Sequence, residues 1–360
     1  MRIDSLKLGN FRNYEELDLT FSPGTNLFYG DNAQGKTNIL EAVYVCGTTK
    51  SHRTSRDKEM IRFGCQDAHL RMILTKKTIS YRIDMQLRAG RSKGIAVNMV
   101  PVRKAVDLIG LGHFIFFSPQ DLSIIKDGPS ERRRFLDMEL CQLDRVYASA
   151  LTTYNKVLDQ RNRLLKTLAV DQRDLATLDV WDEQLVRYGS RIIQLREAFV
   201  STLNEVIIPV HEKLSAGREH LLIRYEKNTE IDSYADAVKA GRQRDLYLCS
   251  TMNGPHRDDL VFLTDGMDLR HFGSQGQQRS AALSLKLAEI ELVKRSTNDP
   301  PVLLLDDVLS ELDAGRQHAL LESIGDIQTF ITCTGIGEYE KSGFHIDRRF
   351  HVSGGKVTEG

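Results

Sequence analysis

One run of eight residues, Gly30-Asp31-Asn32-Ala33-Gln34-Gly35-Lys36-Thr37, constrains this chain more than any other stretch of its 360 residues. Its spacing is G-x-x-x-x-G-K-[ST], with a short strand expected at 25–29 before it and the helical pattern Ile39, Leu40, Val43, Tyr44 after it. Between a strand and a helix, the two glycines let the backbone curl so that its N–H groups face an anion, aided by the helix N-terminus. Lys36 is then expected on the β- and γ-phosphates of a nucleoside triphosphate, and the Thr37 hydroxyl on magnesium.

The second constraint lies about 270 residues downstream. Val302-Leu303-Leu304-Leu305 is an apolar run of the kind found in a central strand buried on both faces, and it ends in Asp306-Asp307. Asp306 is expected in the magnesium shell, with Asp307 beside it to orient or polarise the attacking water. Five acids and no base occupy 299–313, a cluster that repels itself unless a cation or a cationic partner is near. If Lys36 and Asp306 serve one nucleotide, the residues between them are an insertion in a single ATPase domain.

The rest of the chain supports that division. Strands are expected at 3–8 and 17–21, and alternating Ile79, Tyr81 and Ile83 place an antiparallel sheet at 68–87. Over 129–170, Tyr147, Leu151, Tyr154, Leu158, Leu165 and Leu168, with Arg161 as an aliphatic stem, recur at spacings of three and four. Leu178, Trp181, Leu185, Tyr188, Ile192, Leu195, Phe199, Leu203 and Val206 repeat the pattern up to Pro209. Both series read as long helices joined by a polar turn at 171–177. They form either an antiparallel coiled-coil arm or a helical lobe, and Tyr147, Tyr154, Trp181 and Tyr188 serve its packing. Helices at 232–244, 275–294 and from Ala314, strands at 260–263 and 329–333, and a strand pair around Gly354-Gly355 complete an α/β pattern. The expected parts are 1–128 and 251–360, the two portions of the head, and 129–250, a mainly helical insertion.

Composition narrows compartment and partner. Lysine plus arginine and aspartate plus glutamate each total 49, so an anionic partner must be held by local patches. Lys50, Arg53, Arg56, Lys58 and Arg62 stand against Asp57 and Glu59. Arg132-Arg133-Arg134 opens a helix, where cations oppose the dipole unless an anion is near. Lys156, Arg161, Arg163 and Lys166 form a third basic region. Five scattered cysteines without C-x-x-C spacing argue against a disulfide framework or a thiolate zinc site and fit a reducing cytoplasm. No apolar run approaches the roughly 20 residues needed to cross a bilayer, so a soluble cytoplasmic protein without a membrane partner is expected.

Gly273-Ser274-Gln275-Gly276-Gln277-Gln278-Arg279 begins the helix before the acidic strand, with Ser274 placed to cap it. Together with Asn10-Phe11-Arg12-Asn13-Tyr14, Ser118-Pro119-Gln120-Asp121, Gly254-Pro255-His256-Arg257-Asp258-Asp259 and Ser310-Glu311-Leu312-Asp313, these elements resemble the ABC-type ATPase heads of the SMC superfamily. More closely, and over essentially the whole chain, they resemble the RecF family of bacterial DNA replication and repair proteins. The resemblance implies a P-loop ATPase head with a mixed sheet and an inserted helical segment. It implies ATP and Mg2+ at residues 30–38, including Asn38, with Arg12 and Asn13 nearby. Arg12 alone fits nucleotide, DNA or an acidic neighbour equally well.

Gln120 then belongs to a lid loop sensing magnesium and the γ-phosphate. Ser274, Gly276 and Gln277 lie in a signature loop capping the ATP of a second subunit, and Asp313 in a loop crossing that dimer interface. The implied role is an ATP-gated homodimer, a slow, DNA-stimulated ATPase on gapped duplex or single-strand/double-strand junctions. It would act with RecR and RecO to assist RecA loading and would be nucleoid-associated. Lys50, Arg53, Arg56 and Arg132 to Arg134 would grip DNA phosphates without reading sequence.

Two departures stand out. Asp306-Asp307 replaces the Asp-Glu of many ABC ATPases, a pair the RecF family shares. Thr332-Cys333-Thr334 stands where many place a switch histidine, with His256 and His271 as candidate substitutes. The competing classes are the ATPase subunit of a membrane transporter and a structural SMC-like chromosome protein.

Overall fold

Alternating burial builds the first sheet. In Arg2–Phe11 (β1), Asp67–Lys76 (β4) and Ile79–Arg88 (β5), the residues Leu6, Leu8, Leu70, Met72, Ile83 and Met85 are buried while their neighbours face outward. With Tyr14–Thr20 (β2), Gly94–Val97 (β6) and Val100–Pro101 (β7) they form an antiparallel sheet in the order β2-β1-β4-β5-β6-β7. The computed structural model describes residues 1–103, 107–170, 175–335 and 345–360. It divides into two compact units, 1–121 with 289–360, and 122–288.

The second sheet of the first unit carries continuous apolar runs. Thr25–Tyr29 (β3), Phe114–Phe117 (β8), Val302–Asp306 (β12), Thr329–Cys333 (β13), Arg348–Ser353 (β14) and Lys356–Glu359 (β15) lie in the order β15-β14-β3-β13-β12-β8. All pairings are parallel except that of β15. Phe28 stacks on Phe350 at 4.9 Å, and Phe21 meets Phe330 edge-on at 4.8 Å. Helix α1 (Lys36–Thr48) is buried from Ile39 to Thr48 and touches strands of both sheets. That explains why its sequence is apolar all round rather than striped.

The register of this sheet positions the site. Asp306 of β12 lies beside Thr332 of β13, and Thr332 lies beside Phe28 of β3. Three segments far apart in sequence therefore end side by side, at the carboxyl ends of parallel strands, where open α/β sheets hold ligands.

The second unit is built on two helices, α4 (Arg145–Leu168) and α5 (Thr177–Ser215). Arg161 meets Asp182 at 2.6 Å, the added Cβ of Gly189 would lie 3.1 Å from the Tyr154 ring, and Arg196 donates to the Tyr147 hydroxyl at 2.9 Å. Each step of seven residues back along α4 thus matches seven forward along α5, the seam of an antiparallel coiled coil. The joining turn expected at 171–177 lies partly outside the described residues.

Arg161 is not the aliphatic stem expected. Its guanidinium is wholly buried and also bonds Asp245 and Thr251 at 2.7 and 2.8 Å. The expected helix over 129–170 is two, α3 (Pro129–Leu143) and α4. Asp144 leaves helical geometry at φ −134°, and its carboxylate caps α4 through the Val146 N–H. The helix expected at 232–244 is also two, Tyr234–Ala240 (α6) and Arg242–Leu248 (α7).

A segment expected to belong to the head clusters with these helices instead, and its first part, 251–259, meets their seam. Residues 251–288 cluster with the helices, because Asp259–Thr264 (β10) pairs with Leu221–Glu226 (β9). Within the segment, His256 accepts from the Tyr154 hydroxyl and donates to the Thr251 carbonyl. Burial holds its imidazole down to about 4, so it is neutral and structural. Asp258 accepts from Arg196, from the Tyr225 hydroxyl and from the Asn228 N–H. Arg196 also reaches the Pro255 carbonyl at 2.7 Å and Asp137 at 2.8 Å. Asn204 of α5 closes the outer edge of β9 by bonding both the N–H and the C=O of Ile223, at 2.8 and 2.7 Å.

Removing one partner from such a buried network leaves the others uncompensated. Arg196→Met is therefore expected to lower unfolding free energy by about 3–5 kcal/mol in urea titration, whereas Arg134→Met on the surface should change it by under about 0.5 kcal/mol.

Candidate nucleotide site

The phosphate loop is held open by conformations that favour glycine. Gly30 has φ 145° and Gly35 φ 116°; a Cβ on Gly30 would lie 2.3 Å from the Val352 carbonyl, and one on Gly35 2.5 Å from Asn13 Nδ2. Gly35 is the N-cap of α1 and supplies no side-chain cap; the Asn38 N–H turns back to the Gly35 carbonyl at 2.9 Å, so the Lys36 and Thr37 N–H groups are the ones placed to meet an anion. Asp31, Asn32 and Ala33 form the exposed crest of the loop. The Lys36 ammonium is folded over that crest, donating to the Gly30 carbonyl at 2.5 Å and the Asp31 carbonyl at 2.8 Å.

Neighbouring turns brace the loop. Asn13 Nδ2 donates to the Gln34 carbonyl at 2.8 Å, and the Tyr14 hydroxyl to the Gly35 carbonyl at 3.1 Å. The Gly354 N–H, in the β14–β15 turn, donates to the Gln34 side chain at 2.6 Å. Asn38 donates to Asn13 Oδ1 at 2.8 Å and accepts from Arg53 at 2.9 Å. Arg12 forms a two-pronged pair with Glu41, at 2.8 and 2.6 Å, and donates to the Glu59 carbonyl. Glu41 is fully buried and also accepts from Ser51. Sequence reasoning missed this carboxylate, although an acid inside the apolar stretch Ile39 to Val45 was a visible signal.

The acidic strand meets the loop directly. Thr37 Oγ1 donates to Asp306 Oδ1 at 2.8 Å, across 269 residues of sequence. Thr332 Oγ1 donates to the same oxygen at 2.8 Å and accepts from the Asp307 N–H at 2.9 Å. Burial, and to a lesser degree Asp307, push the Asp306 carboxyl above its ordinary pKa, while the two hydroxyls and the Arg53 cation oppose the rise. Oxygen donors of this kind suit a hard cation such as Mg2+, with Thr37 and Asp306 the residues placed to hold it. Asp307 has φ 54°, and Ser310 donates to its carbonyl at 2.9 Å. Gln120 is exposed just past the end of β8, the strand beside β12 in the sheet.

In the other unit, Ser274 and Gln277 form a reciprocal cap at the start of α9 (Gln275–Thr297). The Gln277 N–H donates to Ser274 Oγ at 3.2 Å, and the Ser274 N–H to Gln277 Oε1 at 2.9 Å. Gly276 is exposed between them. His271 is also exposed in this unit. Asp313 caps α10 (Ala314–Ile324) through the Arg316 N–H.

The expected arginine triplet is not one surface. Arg132 is only 2% exposed and grips Asp259 with two bonds, at 2.6 and 2.9 Å. Arg133 donates to the Asp258 carbonyl, and Arg134 is the exposed member. The triplet thus opens α3 with two arginines turned to protein acceptors, which is how a helix N-terminus tolerates them. In the 50–62 loop, Lys50, Arg53 and Arg56 are all exposed, and Arg53 also donates to Asn38. Arg163 and Lys166 are exposed on α4.

Known proteins match the chain over its full length. The family described as AAA domain matches residues 5–245. "DNA replication and repair protein RecF" of Agathobacter rectalis is 57% identical over 99% of both chains. A solved structure of the recombination mediator protein RecF with ATP, from the RecFOR pathway, has a TM-score of 0.92 at 34% identity, covering 99% of this chain and 97% of that one. The Smc head domain of Pyrococcus furiosus, at 16% identity and a TM-score of 0.56 over 99% of this chain and 96% of that one, shares the fold. The fold is thus that of an SMC-like, ABC-type ATPase head, and the chain belongs to the RecF family of DNA replication and repair proteins.

Proposed function

We propose that this protein is an ATP-gated recombination mediator that binds DNA during replication and repair. The observation that carries this reading is the 2.8 Å bond between Thr37 and Asp306, which joins the phosphate loop to the acidic strand at one point. The RecF relative solved with ATP supports ATP as the nucleotide.

In this reading the uncapped N–H groups of α1 and the Lys36 ammonium hold the triphosphate. Mg2+, held by Thr37 and Asp306 with Gln120 sensing it, supplies charge neutralisation on the phosphates. Asp307 accepts a hydrogen bond from the attacking water and turns its oxygen toward the γ-phosphorus. As the new O–P bond forms, the bond to the bridging oxygen breaks, and the proton leaves through Asp307. A short aspartate reaches less far than a glutamate would, which fits slow hydrolysis used to reset a switch.

Two copies close when the Ser274–Gly276–Gln277 loop of each meets the triphosphate of the other, with Asp313 at the same interface. Loss of the γ-phosphate loosens them. Closed dimers hold gapped duplex or a junction between single and double strands, with DNA stimulating hydrolysis. RecR is the direct partner, and RecO and RecA loading follow in the pathway. Lys50, Arg56 and the exposed face of α4 are the cations that support phosphate contact.

Lys36→Met is expected to abolish ATP-induced dimerisation in light scattering and ATP-stabilised binding to gapped duplex, with its thermal melt unchanged; dimers forming as before would refute the clamp. Ser274→Arg should keep ATP binding in the monomer while blocking dimer formation in the same assay, and lost binding would show the loop to be misassigned. Replacing Lys50 and Arg56 by Gln should reduce the slope of log affinity for DNA against log salt by about 2. An unchanged slope would remove that loop from the DNA surface.

A further inference from the structure

The end of β13 holds a residue whose chemistry the nucleotide reading leaves unused. Thr332 is only 1% exposed, and its one hydroxyl touches both carboxylate-bearing residues. The proton goes to Asp306 Oδ1 at 2.8 Å, and a lone pair takes the Asp307 N–H at 2.9 Å. A hydroxyl is the smallest side-chain group that donates and accepts at once. Here the parallel register sets Thr332 directly beside Asp306, so both bonds form without displacing either strand.

Each bond has a separate consequence. Thr37 and Thr332 both donate to Oδ1 of Asp306, which fixes the plane of that carboxylate and leaves Oδ2 as the oxygen for a cation. The bond to the Asp307 N–H acts on backbone. Asp307 has φ 54°, a left-handed conformation that residues with a Cβ rarely keep unless their surroundings hold them. Its carbonyl is tied to Ser310 on the other side, at 2.9 Å. Asp307 is thus clamped at both ends of its peptide, and its side-chain direction follows from that clamp.

We propose that Thr332 is a positioning residue for hydrolysis, setting the cation-holding oxygen of Asp306 and the direction of the Asp307 carboxylate with one hydroxyl. This rests on the reading of Asp306 and Asp307 as the carboxylates of the ATP site. Thr332 touches neither substrate nor metal in this scheme. Its removal should therefore damage turnover and spare nucleotide capture, which the loop and Lys36 perform.

The test compares Thr332→Val, Thr332→Ser and Thr332→Cys in the full chain with ATP and Mg2+. Val keeps the shape and removes both bonds. Ser keeps both bonds, whereas Cys keeps approximate size with a weak donor and a weak acceptor. Thr332→Val should lower kcat about 100-fold, the scale of a misplaced catalytic group, with KM and the affinity for a fluorescent ATP analogue within about threefold of wild type. Ser should restore kcat to within about threefold, and Cys should not. If Val does not fold, the Ser-against-Cys contrast carries the test. Val turnover at the wild-type rate overturns the inference, as does loss of binding and turnover together with no rescue by Ser. A wild-type chain whose hydrolysis is insensitive to Lys36→Met would overturn the ATP-site reading along with it, whereas normal wild-type turnover retained in the Val variant overturns this inference alone.

Discussion

The hydrogen bond from Thr37 to Asp306 is the closure on which the head depends. It spans 269 residues, and a contact that distant is made only if the strands carrying it are already in register. The parallel pairings of β3 with β13 and of β13 with β12 provide that register. Once it is set, everything between the two halves is free to be an excursion from the sheet. The residues at 122–288 form a compact unit with its own architecture.

That excursion is organised by charge as much as by apolar packing. Along the seam of α4 and α5, layers at Arg161 and Arg196 place guanidinium groups where a simple coiled coil would have leucine. Burying such ions costs several kcal/mol each, offset by the carboxylates, carbonyls and hydroxyls their donors meet, although Nη2 of Arg161 is buried without a partner. The loop from Thr251 to Asp259 supplies many of those acceptors. A slip by one layer would set Arg161 opposite Gly189 and Arg196 opposite Tyr154, away from their carboxylates, so these layers fix the register of the pair.

Much of the head was legible because its signals are local. The phosphate loop is contiguous, the acidic strand is a bare apolar run ending in two acids, and each lies between elements with their own periodicity. The parts that were not legible depend on tertiary partners. Arg161 sits at the right spacing for a stripe, and nothing in its neighbours on α4 announces Asp182 and Asp245, which come from other helices. Arg132 looks like a surface cation until β10 brings Asp259 to it. Thr332 is an ordinary strand threonine in sequence, and only the register beside Asp306 gives its hydroxyl two partners. The capping role of Ser274 needed only four residues, and it was legible.

Asn204 has a consequence of a different kind. Its amide sits against Ile223 as a neighbouring peptide group would, consuming the donor and acceptor that this residue would otherwise offer at the rim of β9. An extended segment from another molecule would have to displace that amide before it could pair at Ile223.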